Sequence, residues 1–80
     1  MDDAEIARRI SDLVGEEHRL EQSKSGEGLT DAETDRVRSI EIALDQCWDL
    51  LRQRRARRGA GQDPEEVSVR PPSVVEGYQQ

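Results

Sequence analysis

Aromatic side chains are almost missing: Trp48 and Tyr78 stand alone, and there is no phenylalanine. Cysteine is scarcer still. A lone Cys47 excludes an intrachain disulfide, and with His18 as the single histidine the chain cannot close a Cys/His zinc site by itself. No run approaches the roughly 18 apolar residues of a membrane span, and no apolar signal-type segment follows Met1-Asp2-Asp3. With 80 residues, 32% hydrophobic against 38% charged, the chain has material for one small domain at most.

Charge is plentiful and unevenly placed. The total is 12 bases against 18 acids, a net −6. Residues 1–51 carry 14 acids and 6 bases, Arg52–Arg58 carries five arginines, and residues 59–80 carry four acids and one base. Three zones follow: an acidic periodic segment, a basic helix end, and a tail containing Gly and Pro. Repeats are absent.

The spacing predicts a first helix from about Asp3 to about Ser23. Asp2 or Asp3 serves as N-cap, where acids suit the positive end of the helix dipole. Ile6, Ile10, Leu13, Val14 and Leu20 fall on one stripe at 100° per residue, with Glu17 in its middle. The helix ends in Ser23-Lys24-Ser25-Gly26-Glu27-Gly28, with Gly26 or Gly28 suited to a left-handed cap. A second helix is announced by Thr30-Asp31-Ala32-Glu33, a capping box, and extends over about 31–58. Val37, Ile40, Leu44, Cys47 and Leu51 follow at 3-4-3-4 spacing, an a/d seam flanked by Trp48 on one side and by Ala43 and Leu50 on the other.

A short connection makes the two helices antiparallel neighbours. Leu13 should meet Ile40 and Leu44, Ile10 should meet Leu44 and Cys47, and Ile6 should meet Trp48 and Leu51. The longer second helix carries its arginines past the start of the first, near Asp2, Asp3 and Glu5. A two-helix hairpin leaves half of each helix in water, so it is expected to need a second copy, a partner or its own tail. The tail offers Val67, Val69, Val74, Val75 and Tyr78, too apolar for a segment that only solvates. Pro71-Pro72 favours extended backbone, so residues 67–78 are expected to run back along the helices beside Leu50, Ala43 or Val14.

Four features invite a chemical reading. Glu16-Glu17-His18-Arg19 resembles a ligand cluster, but the Glu-x-x-His offset that brings two ligands to one helix face puts Gly15 where the acid should be. Glu17 reads better as a polar residue that sets register in the stripe, half-exposed near the loop or paired with Arg36 or Arg38 of its own or a neighbouring chain, and His18 as exposed. Cys47, within the seam and far from His18, reads as a small buried hydrophobe. Arg52–Arg58 could meet phosphates or an acidic protein, yet cations also suit a helix C-terminus with no ligand at all. Gly26-Glu27-Gly28 lacks the preceding strand and the terminal GK[ST] of a phosphate loop, and reads as a turn.

Several stretches together carry a resemblance: Glu17-His18-Arg19-Leu20, Gly26-Glu27-Gly28-Leu29, the run Leu44-Asp45-Gln46-Cys47-Trp48-Asp49-Leu50-Leu51-Arg52-Gln53-Arg54-Arg55-Ala56, Val69-Arg70-Pro71-Pro72, and Val75-Glu76-Gly77-Tyr78. The chain resembles a short actinobacterial family described as domain of unknown function 2630, over nearly its whole length and most specifically across Asp45–Ala56. The resemblance implies an actinobacterial, cytoplasmic, complete protein whose tail belongs to the folded unit. It implies no activity, cofactor or catalytic residue.

The expectation is therefore an all-α protein: a hairpin over residues 1–58 and an extended tail over 59–80, dimerising into a four-helix bundle or docking on a larger protein. The expected role is an interaction or assembly module, with no enzyme activity, metal or cofactor. Its expected surface is Ala43, Cys47, Trp48, Leu50, Leu51, Arg52 and Arg55. A nucleic-acid-associated regulator acting through Arg52–Arg58 is the alternative.

Overall fold

The computed structural model describes residues 1–22 and 28–76, and side chains through Val75. Helix α1 spans Asp3–Gln22 and helix α2 spans Asp31–Gly59. A 3-10 turn, Pro64–Glu66, and a short helix α3, Pro72–Glu76, follow in the tail. Among the described residues there is no strand. The expected end of the first helix at Ser23, the cap at Gly26 and the packing of Tyr78 lie outside the described residues. Gly28 does take the left-handed conformation, with φ of 71°.

Both long helices start where side chains satisfy their first free amides. Asp2 accepts from the Glu5 amide at 2.8 Å while the Glu5 carboxylate reaches back to the Asp2 amide at 3.3 Å. Thr30 and Glu33 make the same reciprocal pair at 3.1 and 3.0 Å. At its other end α2 closes through the Ala60 amide, which donates to the Ala56 and Arg57 carbonyls, and Gly61 turns the chain back with φ of 72°.

The core is the line of contact between α1 and α2. Ile6, Ile10 and Leu13 meet Ile40, Cys47 and Leu50, with Leu20, Ala43, Leu44, Leu51 and Val67 packed around them. This corrects the expected facing of Ile6. Ile6 is fully buried and borders a small cavity with Ala43, Cys47, Leu50 and Val69, while Trp48 stands 51% exposed. The buried seam of α2 has rotated from Leu44 and Leu51 toward Leu50. The reason is the tail: the turn and α3 both pack on α2, so burial extends to that side of the helix.

The tail is not extended throughout. From Val67 to Pro71 it has no regular structure, and then Pro72 opens α3. Proline lacks an amide hydrogen and holds φ near −65°, so it fits the first turn of a helix without loss. Val75 on this helix is fully buried and Val67 half-buried, whereas Val69 and Val74 are exposed.

Candidate interaction surface

The tail is fastened to α2 by a polar stripe, Gln46, Asp49 and Gln53, at 3-4 spacing and about 100° round the helix from Cys47. Asp49 is completely buried. Arg70 grips its carboxylate with two nitrogens, Nε lying 2.9 Å from Oδ2, and Gln53 donates to the same oxygen at 3.0 Å. The hydrogen bonds from Arg70, more than its charge alone, hold the Asp49 carboxyl below its usual range against the opposing effect of burial. The two glutamines complete the attachment through backbone: Gln46 donates to the Arg70 carbonyl at 3.2 Å and Gln53 to the Ser68 carbonyl at 3.0 Å.

A second fastening sits where the arginine block passes the start of α1. Arg54 is only 5% exposed. It donates to Asp3 through Nε, and through Nη1 to Glu65 at 3.0 Å and the Pro64 carbonyl at 3.2 Å. Arg58 reaches Asp3 at 2.9 Å. Hydrogen bonds from Arg54 and then Arg58 lower the Asp3 pKa. One guanidinium thereby joins the N-terminus of α1, the end of α2 and the tail. Arg57 bonds Gln62 at 3.1 Å and lies 3.8 Å from Glu66. At the other end of the hairpin Arg36 forks onto Glu16 at 2.6 and 2.7 Å.

Against this geometry the expected surface divides. Cys47 and Leu50 are corrected to interior positions, covered by α1 and the tail of their own chain. Burial pushes the Cys47 thiol up, the opposite of what a nucleophile needs, with Arg9 only partly opposing. Ala43 and Leu51 are half-buried at the edge of the core. Trp48, Arg52 and Arg55 face solvent. Glu17 is half-buried, which fits the half-exposed alternative, and Arg36 pairs instead with Glu16. His18 is exposed.

Among the described residues two surfaces stand open. The first is apolar. Arg9 and Glu16 lie on the α1 edge turned toward the tail side, since Glu16 meets Arg36 and Arg9 shares the small cavity with Gln46 and Val69. Val14, 48% exposed, lies on the opposite edge, the side from which Trp48 projects beside half-buried Leu44 and Leu51. The second is a groove of about 550 Å³ between the C-terminal half of α2 and the tail, bordered by Arg52, Arg57 and Arg70.

The residues that fasten the tail escaped the sequence reading. Gln46, Asp49 and Gln53 do share one helix face, but polar residues on a face are ordinarily solvated, and nothing local marks Arg70 as their partner. Among the described residues no three His, Cys, Asp or Glu side chains gather as a metal site, and no helix is long and apolar enough to cross a membrane.

Comparison with known proteins places the chain among relatives without an assigned activity. It is 52% identical over 77 residues to uncharacterised proteins of Mycobacterium tuberculosis and Mycobacterium bovis, covering 95% of this chain and 88% of theirs. No solved structure matches it. The sequence model of the family described as "Protein of unknown function (DUF2630)" matches residues 2–80, and the chain belongs to that family.

Proposed function

We propose that the chain is a protein–protein interaction or assembly module that pairs with a second copy of itself through the face bearing Val14, Leu44, Trp48 and Leu51. The observation that carries this reading is Trp48, a large side chain half in water beside a half-buried apolar strip. Tryptophan on such a strip is the residue type that most often anchors an interface. Two hairpins joined along these faces make a four-helix bundle, and each covers the apolar strip that the other leaves wet. A cytoplasmic setting suits a chain whose one thiol is buried and unpaired.

Light scattering at micromolar concentration should then report twice the 9.1 kDa chain mass, falling to that of one chain in Trp48→Ser. A monomer of unchanged mass at all concentrations, with Trp48 emission typical of water, would overturn the proposal. Nucleic-acid binding is the weaker reading. Arg54 and Arg58 pair with Asp3, and Arg57 with Gln62 and Glu66, which leaves Arg52 and Arg55 as the outward part of the block.

A further inference from the structure

The face that carries Trp48 is patterned about that residue. Glu41 lies seven residues before it and Arg55 seven residues after, and all three are exposed. A step of seven residues falls about 20° short of two full helical turns, so both charges stay within about 20° of Trp48 round the helix. Along the axis they sit about 10.5 Å to either side of it. Among the described residues neither Glu41 nor Arg55 makes an ion pair or a side-chain hydrogen bond in its own chain. The flanks repeat the pattern. Toward α1 lie half-buried Leu44 and Leu51, four before and three after Trp48. Toward the tail lie Asp45 and Arg52, three before and four after. Each of these four is about 40–60° from Trp48 round the helix. Arg52 is 3.9 Å from Asp49, a carboxylate already gripped by Arg70.

We infer that two copies pair with their α2 helices antiparallel about a two-fold axis between the two Trp48 side chains, and that Glu41 and Arg55 set this orientation. The arrangement rests on the self-association proposed above and specifies its geometry. A two-fold axis lying in the interface and crossing α2 at right angles reverses the partner helix and turns each flank onto the same flank of the other copy. Positions about equally far before and after Trp48 then face each other. Glu41 meets Arg55 of the second copy, and Arg55 meets its Glu41, on the line of the two tryptophans. Leu44 meets Leu51 on the α1 side, and Asp45 meets Arg52 on the tail side. The face is thus complementary to itself in both charge and apolar surface. A parallel pair would instead lay Glu41 on Glu41 and Arg55 on Arg55, like charge against like. The same polarity runs along the whole of α2. Residues 31–47 carry five acids and two bases, and residues 49–58 one acid and five bases. Antiparallel pairing sets the basic half of each helix beside the acidic half of the other. The net −6 of each copy opposes this only weakly. Exposed charges far apart are screened beyond about 8 Å at physiological salt, whereas on the face itself two acids balance two bases.

Sedimentation equilibrium of the intact chain and of charge-swapped variants tests the arrangement. Glu41→Arg opposes arginine to arginine at both ends of the interface, and Arg55→Glu opposes glutamate to glutamate. Each should raise the dimer dissociation constant about tenfold or more. The two changes together exchange the signs and recreate both pairs, so the double variant should return to within about threefold of the unaltered chain. Both positions are exposed on α2, where substitutions leave the fold intact, and far-ultraviolet circular dichroism checks that they do. In a parallel dimer each single change only replaces one like-charge contact by another, and affinity stays level. Single variants that dimerise as tightly as the unaltered chain, while Trp48→Ser still dissociates it, would overturn the antiparallel arrangement and leave self-association standing. A double variant no tighter than the singles would also overturn it, since the two charges would then act apart. A monomeric unaltered chain would remove the pairing itself and this geometry with it.

Discussion

Asp49 and Arg70 form a lopsided pair: the acid is fully buried and the base is 33% exposed in its side chain. Removing the two members should therefore have unequal effects. Arg70→Ala leaves a buried carboxylate with Gln53 as its main donor, and the loss should be about 3 kcal/mol or more. Asp49→Ala leaves an arginine that can turn to water, and should cost about half as much. For a domain of this size, thermal melts followed by circular dichroism should show drops of the order of 15 °C and 8 °C respectively. Equal drops would mean that the carboxylate reaches water in either case. Glu17 presents the reverse situation, a half-buried acid in an apolar stripe. Glu17→Leu should raise the melting temperature by a few degrees while loosening the choice of oligomer, as removal of a register-setting polar group does. A lower melting temperature with unchanged assembly would dismiss the register role.

Helix α2 is the scaffold to which everything else is attached. One arc of it meets α1 through Ile40 and Cys47, a second holds the tail through Gln46, Asp49 and Gln53, and a third shows Glu41, Trp48, Arg52 and Arg55 to solvent. The tail's role as a cover was legible in its valines, but not which of them would go inside. Val75 is buried because Pro72 starts a helix that turns it inward, an outcome that an all-extended tail would not have produced. Deleting residues 64–80 should lower the melting temperature by about 10 °C or more by uncovering Leu50 and the neighbouring core edge. The deletion also opens Asp49 to water, so Asp49→Ala should be close to neutral in the truncated chain. Non-additivity between the two changes is the measurement that reports the contact.

At the scale of the molecule the tail, α1 and α2 are locked at points where carboxylates must stay ionised. Asp49 and Asp3 both have folded pKa values below their ordinary ones, each chiefly through hydrogen bonds from arginine. A depressed folded value means that the unfolded chain binds protons first as the pH falls. The stabilisation is complete above the unfolded carboxylate value of about 4 and is lost progressively below it. Melting temperature should thus hold steady from pH 7 to about 5 and fall steeply under about 4, with the fall blunted in Asp49→Asn. An acid-insensitive melt in the wild-type chain would contradict this.

Local chemistry determined the two helices, their starts and the length of the second. Capping residues, apolar spacing and glycine punctuation act within a turn or two of backbone, so an acidic N-cap at the start of α1, the Thr30–Glu33 box and the end of α2 near Arg58 could be read directly from residue order, whereas the reciprocal bond from Glu5 back to Asp2 was seen only in the structure. Tertiary structure alone decided which arc of α2 would be dry and which arginines would be used internally. Arg54 meets an acid 51 positions away and Arg70 one 21 positions away. Such partners are chosen by the path of the tail across the helix, and every arginine in the block looks alike until that path exists. The same path draws Leu50 inward and leaves Trp48 half in water, because one helix can turn only so much of its circumference toward two neighbours.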